Sequence, residues 1–421
     1  MTSVDGRDRG DAELGLRTQD DLRSLYRENT PAKFWQLTRE VSADTWDSAV
    51  RAAANVLPGG PEALARHGLD GLLEHVLGEG QFGPGRYRLS RAKQFYYELR
   101  PLVPRSLTRR ARHMRSKGQA SSYPLRWPIE DRYVQFLYQV LSHVSAAAAT
   151  CATAKLSDGA APGRLRHRSL WPDDARFAFV LTHDIERAEG QQFARTLADM
   201  DERYGFRSAF NFVLEDYAVD SSLVRELQQR GFEVGLHGLK HDGKLYASRA
   251  AFDRSARRIN WCLQEWGAAG FRSPSTHRNP EWMQALEIQY DSSFFDTDPF
   301  EIMPGGTMSI WPFFCGHFVE LPYTLLQDHT LLAVLGERTP KLWVDKVDFI
   351  AQWSGMALVN VHPDYMRYPA HRAVYEEFLQ EMAGRVGHGA LPADSRPCWH
   401  ALPREVACWW RERAEAGLSG R

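Results

Sequence analysis

Asp184 and Glu186 stand one residue apart at the end of an apolar run, FAFVLTHDIE. In an extended backbone, side chains two apart share a face, so both carboxylates point the same way. Two acids held together repel unless a cation lies between them. His237 and His241, four apart in HGLKH, can share a divalent metal. Two imidazoles and one carboxylate form the donor set of a catalytic zinc site with one position left open. Arg272 sits in GFRSP, where a guanidinium can orient a carboxylate and keep it ionised, or form a structural ion pair. His362 follows ALVNV and is held by Pro363. A histidine across from a reacting water suits a general acid, although a neutral histidine capping a strand is common. The acids could also open a helix, since Glu186 and Glu189 suit a first turn.

Each of these residues closes a short apolar run, which places them on strand ends. The pattern predicts strands over 177–182, 208–213, 233–236, 270–272, 289–292, 318–321 and 357–361. Helical spacing lies between them, over 191–204, 222–230, 249–266, 280–286 and 341–353. Alternation of this kind implies βα units and a parallel sheet or barrel, whose chemistry gathers at the carboxyl ends of the strands. No GxGxxG or GxxxxGK[ST] follows any of these strands, so a nucleotide-binding doubly wound sheet is disfavoured and barrel-like closure fits better.

Ahead of the alternating part lies a different pattern. Residues 1–20 are charged and poor in large apolar side chains, which predicts a disordered tail. Residues 21–160 read as mainly helical, with a helix expected over 131–148, a barrel over 165–390 and a helical tail, rich in Trp, over 391–421. The turn-rich SDGAAPG at 157–163 marks the boundary between the first two. The basic tract from Arg105 to Lys117 could touch phosphate or an anionic membrane surface, or simply form a solvated face.

The composition is that of an ordinary globular chain of 421 residues, 43% hydrophobic and 25% charged. A net charge of -1 argues against non-specific nucleic-acid binding. The five scattered cysteines, without CxxC spacing, suggest neither a disulfide framework nor a cysteine zinc site. No apolar stretch is long enough to span a bilayer, and the polar amino terminus does not read as a signal segment, so a cytoplasmic location is expected.

The order of an acidic strand end, HxxxH, an Arg-x-Pro and a final LxxxHP resembles the polysaccharide deacetylase family (the NodB homology domain, carbohydrate esterase family 4), over roughly 177–387. That resemblance implies a distorted (β/α)7 barrel and metal-dependent hydrolysis of N-acetyl groups on sugars. By matching positions it implies Asp184 as general base, Arg272 as the arginine that orients it, and His362 as general acid. Glu186, His237 and His241 take the places of the metal ligands, for Zn2+ above all, with Co2+, Fe2+ or Ni2+ as alternatives. The family's adjacent aspartates are replaced here by Asp184-Ile185-Glu186. The extra methylene of Glu186 leaves Asp184 open as a metal ligand itself. The long segment 295–329 suits substrate recognition, with Trp311, Tyr323, Asp296, Asp298, Asp328 and His329 as candidates. The expected substrate is a carbohydrate or glycoconjugate: an intracellular glycan precursor, glycolipid or glycosylated metabolite. Two other readings are a C–N hydrolase of a small non-sugar amide and an inactive glycan-binding barrel.

Overall fold

In the computed structural model the described residues are 24–88, 123–155, 165–301, 303, 305–386 and 398–419. The tail at 1–20, the basic tract from Arg105 to Lys117 and the boundary at 157–163 lie outside them.

Among the described residues nine strands form one sheet: β1 Ala178–Ile185, β2 Ser208–Phe212, β3 Glu233–Leu236, β4 Gly270–Phe271, β5 Tyr290–Asp291, β6 Phe313–Cys315, β7 Phe318–Glu320, β8 Met356–Asn360 and β9 Trp399–His400. The order is β6-β7-β5-β4-β3-β2-β1-β8, with β9 pairing the start of β1. Only the β6–β7 pair is antiparallel. Seven parallel strands, with helices in the connections, therefore run from β7 round to β8. Closure past β8 is irregular: the Thr324 and Leu325 N–H groups donate to the Leu358 carbonyl, and the Met356 N–H donates to Ile310. This is the distorted (β/α)7 barrel that the resemblance implies.

Strand β1 is buried at all eight positions, as a central strand covered on both faces must be. It runs three residues beyond the expected end at Thr182, because pairing with β2 continues from Leu181↔Ser208 to Ile185↔Phe212. His183 and Asp184 are therefore strand residues with opposite facings. In the barrel half, the helices are α4 Ala188–Arg203, α5 Ser221–Gln229, α6 Arg249–Trp266, α7 Lys341–Gln352 and α8 Pro369–Val386. Polar caps start two of them: Asp220 accepts from the Leu223 N–H, and Ser248 from the Ala251 N–H. The helix expected over 280–286 is a single turn, Pro280–Met283.

Ahead of the barrel come α1 Ala43–Ala53, α2 Gly60–Leu77 and α3 Arg132–Lys155, the last running well past the expected end at 148. One hydrophobic core joins them to the barrel and to the final helix, α9 Pro403–Ser419. Phe34 packs edge-on against Trp311 and lies close to Trp410. The outer edge of β6 is covered as well: the Asn29 amide donates to the Phe314 carbonyl (2.8 Å) and accepts from its N–H (2.7 Å). A side chain thus completes the ladder that an open edge would offer to another chain. No helix among the described residues is long and apolar enough to cross a membrane.

Candidate active site

Register brings the chemistry to one rim. Asp184 on β1 lies beside Asn211 on β2, and Asn360 ends β8 on the other side. Both amides donate to it: Asn211 Nδ2 to Oδ1 at 2.9 Å and Asn360 Nδ2 to Oδ2 at 2.8 Å. Arg272, just beyond β4, adds Nη1 to Oδ1 at 3.2 Å. Burial would raise the pKa of Asp184, but the Arg272 guanidinium, then His237 and His362, and the Asn211 amide outweigh it. The carboxyl is held well below its usual range. Among the described residues Asn360 is the one donor to Oδ2, which leaves a lone pair open; His237 Nδ1 is 3.9 Å from it.

All three nitrogens of Arg272 are engaged. Nε donates to the Ser292 carbonyl (2.7 Å), Nη2 to Ser292 Oγ (2.8 Å) and Nη1 also to Thr182 Oγ1 (2.9 Å). Its guanidinium lies over the Tyr323 ring at 5.5 Å. A fork fixed at every branch has little freedom left to leave the carboxylate.

His237 follows β3, and the sequence pattern suggested that a single turn aligns it with His241. The structure differs. Residues 238–242 form no helix, and the chain reverses at Gly238, whose φ is +72°. A Cβ there would meet the Pro274 ring at 2.5 Å, so only glycine fits. The two imidazole centroids end 5.5 Å apart. His237 Nδ1–H donates to the Arg272 carbonyl at 3.1 Å, which leaves Nε2 as the lone-pair nitrogen. Burial, against the pull of Asp184, lowers its pKa to about 4, so it is neutral.

Glu186 lies just past the end of β1. Its Oε1 is 3.0 Å from His241 Nε2 and 3.8 Å from His362 Nε2. Burial opposes its charge, but His241 foremost, then His362 and His237, hold the carboxyl well below the usual range. One ligand atom from each of Glu186, His237 and His241 falls within 4.8 Å of the others. Glu186 lies clear of the strand ladder, one residue beyond the end of β1. This donor set, two imidazole nitrogens and one carboxylate, fits a divalent ion of the zinc type. Asp184, tied to three donors, stands outside the convergent set.

His362 occupies the opposite wall. Its Nδ1–H donates to Asp328 Oδ1 at 2.6 Å, and its backbone N–H donates to Asp328 Oδ2 at 2.9 Å. Burial would lower its pKa, but Asp328, by charge and hydrogen bond, then Glu186 and Asp184, raise it to about 10. His362 therefore holds a proton on Nε2 at neutral pH.

The segment 295–329 divides the remaining candidates. Asp328 serves His362, and Tyr323 lies beneath Arg272 with its hydroxyl accepting from Gln327 Nε2 at 2.9 Å. His329 stands at the rim against the Tyr365 ring, with centroids 5.5 Å apart. Asp296 is locked to buried Lys346 at 2.7 Å. Asp298 ties its own loop, accepting from the Phe300 N–H at 2.7 Å. Trp311 does not reach the site: it is wholly buried, its indole N–H donating to the Ser354 carbonyl at 2.8 Å. The Trp311 ring belongs to the shared core. Asn211, Asn360 and Gln327 were not expected. Asn360 Nδ2 also donates to Gln327 Oε1 (3.1 Å), and Gln327 Nε2 to buried Glu301 (2.7 Å). A signal for the asparagines exists in SAFNF and MALVN, where each is the polar interruption of an apolar strand.

No protein-family model matches the chain, and no curated protein matches it. Among solved structures it is similar to one from Mycobacterium smegmatis described as a polysaccharide deacetylase, at 18% identity and TM-score 0.46 over 58% of this chain and 93% of that one. A second, from Pseudomonas aeruginosa and described likewise, gives 16% identity and TM-score 0.47 over 57% and 93%. An allantoinase structure gives 14% and 0.46 over 57% and 92%. In the order of its motifs the chain resembles the polysaccharide deacetylases of carbohydrate esterase family 4.

Proposed function

We propose that the protein is a metal-dependent amidohydrolase that removes an N-acyl group, most simply acetyl, from an amino sugar. The observation that carries this reading is the convergence of Glu186, His237 and His241 between two prepared walls, Asp184 with Arg272 and His362 with Asp328. A divalent ion on those three ligands would supply Lewis acidity and make water a stronger acid near neutral pH. Asp184, kept ionised by Arg272, Asn211 and Asn360, takes a proton from the attacking water at its open Oδ2 position. His362 gives its Nε2 proton to the departing nitrogen, while Asp328 keeps Nδ1–H in place and the imidazole upright. The two groups start in opposite protonation states at neutral pH, as an acid–base pair must.

Acetate release from N-acetylglucosamine and its short oligomers tests this, with metal content measured on the same preparations. Chelation should abolish release and zinc or cobalt should restore it. Asp184→Asn should lower the rate roughly 10²–10⁴-fold while leaving metal content unchanged. A loss of bound metal in that variant would make Asp184 a ligand instead.

A second reading is hydrolysis of a C–N bond in a small non-sugar amide. It is favoured by the depth of the site: Asp184 and His362 are only 2% and 4% exposed, and Glu301 and Gln327 close the wall beside them. Metal-loaded protein that cleaves small cyclic amides and leaves every acetylated amino sugar intact would replace the first reading with the second.

A further inference from the structure

His183 takes no part in the chemistry above, yet it is fully buried behind the site, where an apolar residue would continue the FAFVL run. Alternation along β1 sends it away from Asp184, towards α4 and α8. Its Nδ1 lies 2.9 Å from the Val361 carbonyl oxygen, which can only accept, so Nδ1 carries a proton. Its Nε2 lies 2.8 Å from Asp201 Oδ2, a carboxylate that also accepts from Ser208 Oγ (2.6 Å) and Tyr375 Oη (2.8 Å). Both ring nitrogens are thus engaged, and His183 forms a fully buried hydrogen-bonded pair with Asp201.

Such a pair is a poor source of stability, because apolar residues of similar volume generally do as well or better. What it holds is more telling. The Val361 carbonyl belongs to the same peptide unit as the His362 N–H, and that N–H donates to Asp328. His183 grips one side of the unit and Asp328 the other, and Asp328 also holds the His362 ring. We propose that His183, braced by Asp201, is a positioning residue that fixes the Val361–His362 peptide and so aims the His362 Nε2 proton. This rests on the reading of His362 as the proton donor.

Two amide variants separate its contacts. The Asn amide takes the place of Nδ1 and can still donate to Val361; the Gln amide takes the place of Nε2 and reaches only Asp201. A double variant, His183→Phe with Asp201→Asn, removes both contacts without stranding a charge. For acetate release from N-acetylglucosamine oligomers, His183→Gln and the double variant should lose kcat on the order of tenfold to a hundredfold, with KM and the unfolding midpoint near wild type. His183→Asn should recover most of that loss. The NMR resonance of the His362 Nδ1 proton, which needs no substrate, should move in His183→Gln and stay in His183→Asn. If the wild type releases no acetate, this resonance alone decides the matter. Equal effects of the Asn and Gln variants, losses that simply follow the unfolding midpoint, or a His183→Gln variant like wild type would overturn the proposal.

Discussion

At the scale of single residues, the site is defined by two groups pushed in opposite directions. Asp184 and His362 are both buried, and burial alone would discharge both; their partners reverse it. Asp328 is the larger support of the imidazolium, through charge and a 2.6 Å hydrogen bond. Asp328→Asn keeps one acceptor but removes the charge, so the folded pKa of His362 should fall from about 10. The acid is loaded below its pKa, and the alkaline limb of the kcat–pH profile should therefore move to lower pH. A limb that stays where it is would assign it to another group. The type of chemistry was legible in the sequence because Asp, Glu, His and Arg are rare at the ends of buried strands. The protonation of His362 was not, because it depends on Asp328, which reaches the site from another element.

At the scale of elements, two features are decided by neighbouring backbones. The reversal at Gly238 places His241 beside His237, and Gly238→Ala would put a methyl into the Pro274 ring with φ in the left-handed region. Expected is a fall in metal affinity greater than any fall in unfolding midpoint, read by metal titration alongside thermal unfolding. The second feature is a pair of wholly buried acids, Asp291 on β5 and Glu320 on β7, which are register partners. Burial raises Asp291 to about 6, and burial together with the charge of Asp291 raises Glu320 well above its usual value. The folded state thus retains a proton that the unfolded chain releases. The resulting stability is full below the ordinary carboxylate range and is lost as pH rises through about 6 and beyond. In Glu320→Gln the amide oxygen can accept from the Phe294 N–H, as Oε1 does now, while the amide N–H faces Asp291. This variant should gain roughly 1–3 kcal/mol relative to wild type between pH 5 and pH 8, measured by denaturant unfolding. Parallel pH dependences would exclude a shared proton.

At the scale of the whole molecule, the N-terminal helices belong to the architecture of the barrel mouth. Glu79, just after α2, forms a buried ion pair with Arg278 in the loop after β4: Nε to Oε2 is 2.7 Å, and the second Nη–Oε1 contact is also made. Glu79 Oε1 further accepts from the Gly306 N–H at 2.7 Å. Arg278 lies over the Phe295 ring at 4.7 Å. Tyr123 and Gln81 hold the segment between β5 and β6 through the Gly305 and Gly306 carbonyls. Glu79→Ala would leave a guanidinium buried without its carboxylate, at a cost of about 3–5 kcal/mol, seen as a lower unfolding midpoint. A change under about 1 kcal/mol would show that the loop relaxes and rehydrates Arg278.

Local pattern was sufficient for much of this protein. Short apolar runs, separated by helical spacing, mark the barrel strands; the expected spans of β3, Glu233–Leu236, and of α6, Arg249–Trp266, are those the structure shows. Motif order likewise pointed to Asp184, Glu186, His237, His241, Arg272 and His362, because strand ends in a parallel barrel share one rim. Long-range packing decided the rest. Trp311 belongs to a core completed by Phe34, nearly three hundred residues earlier, so an aromatic that reads as a ligand platform is structural. The extension of β1 through Ile185 came from pairing with β2, and it is this pairing that turns His183 away from Asp184. Side-chain periodicity records which faces alternate; only the neighbouring strands and helices determine what each face meets.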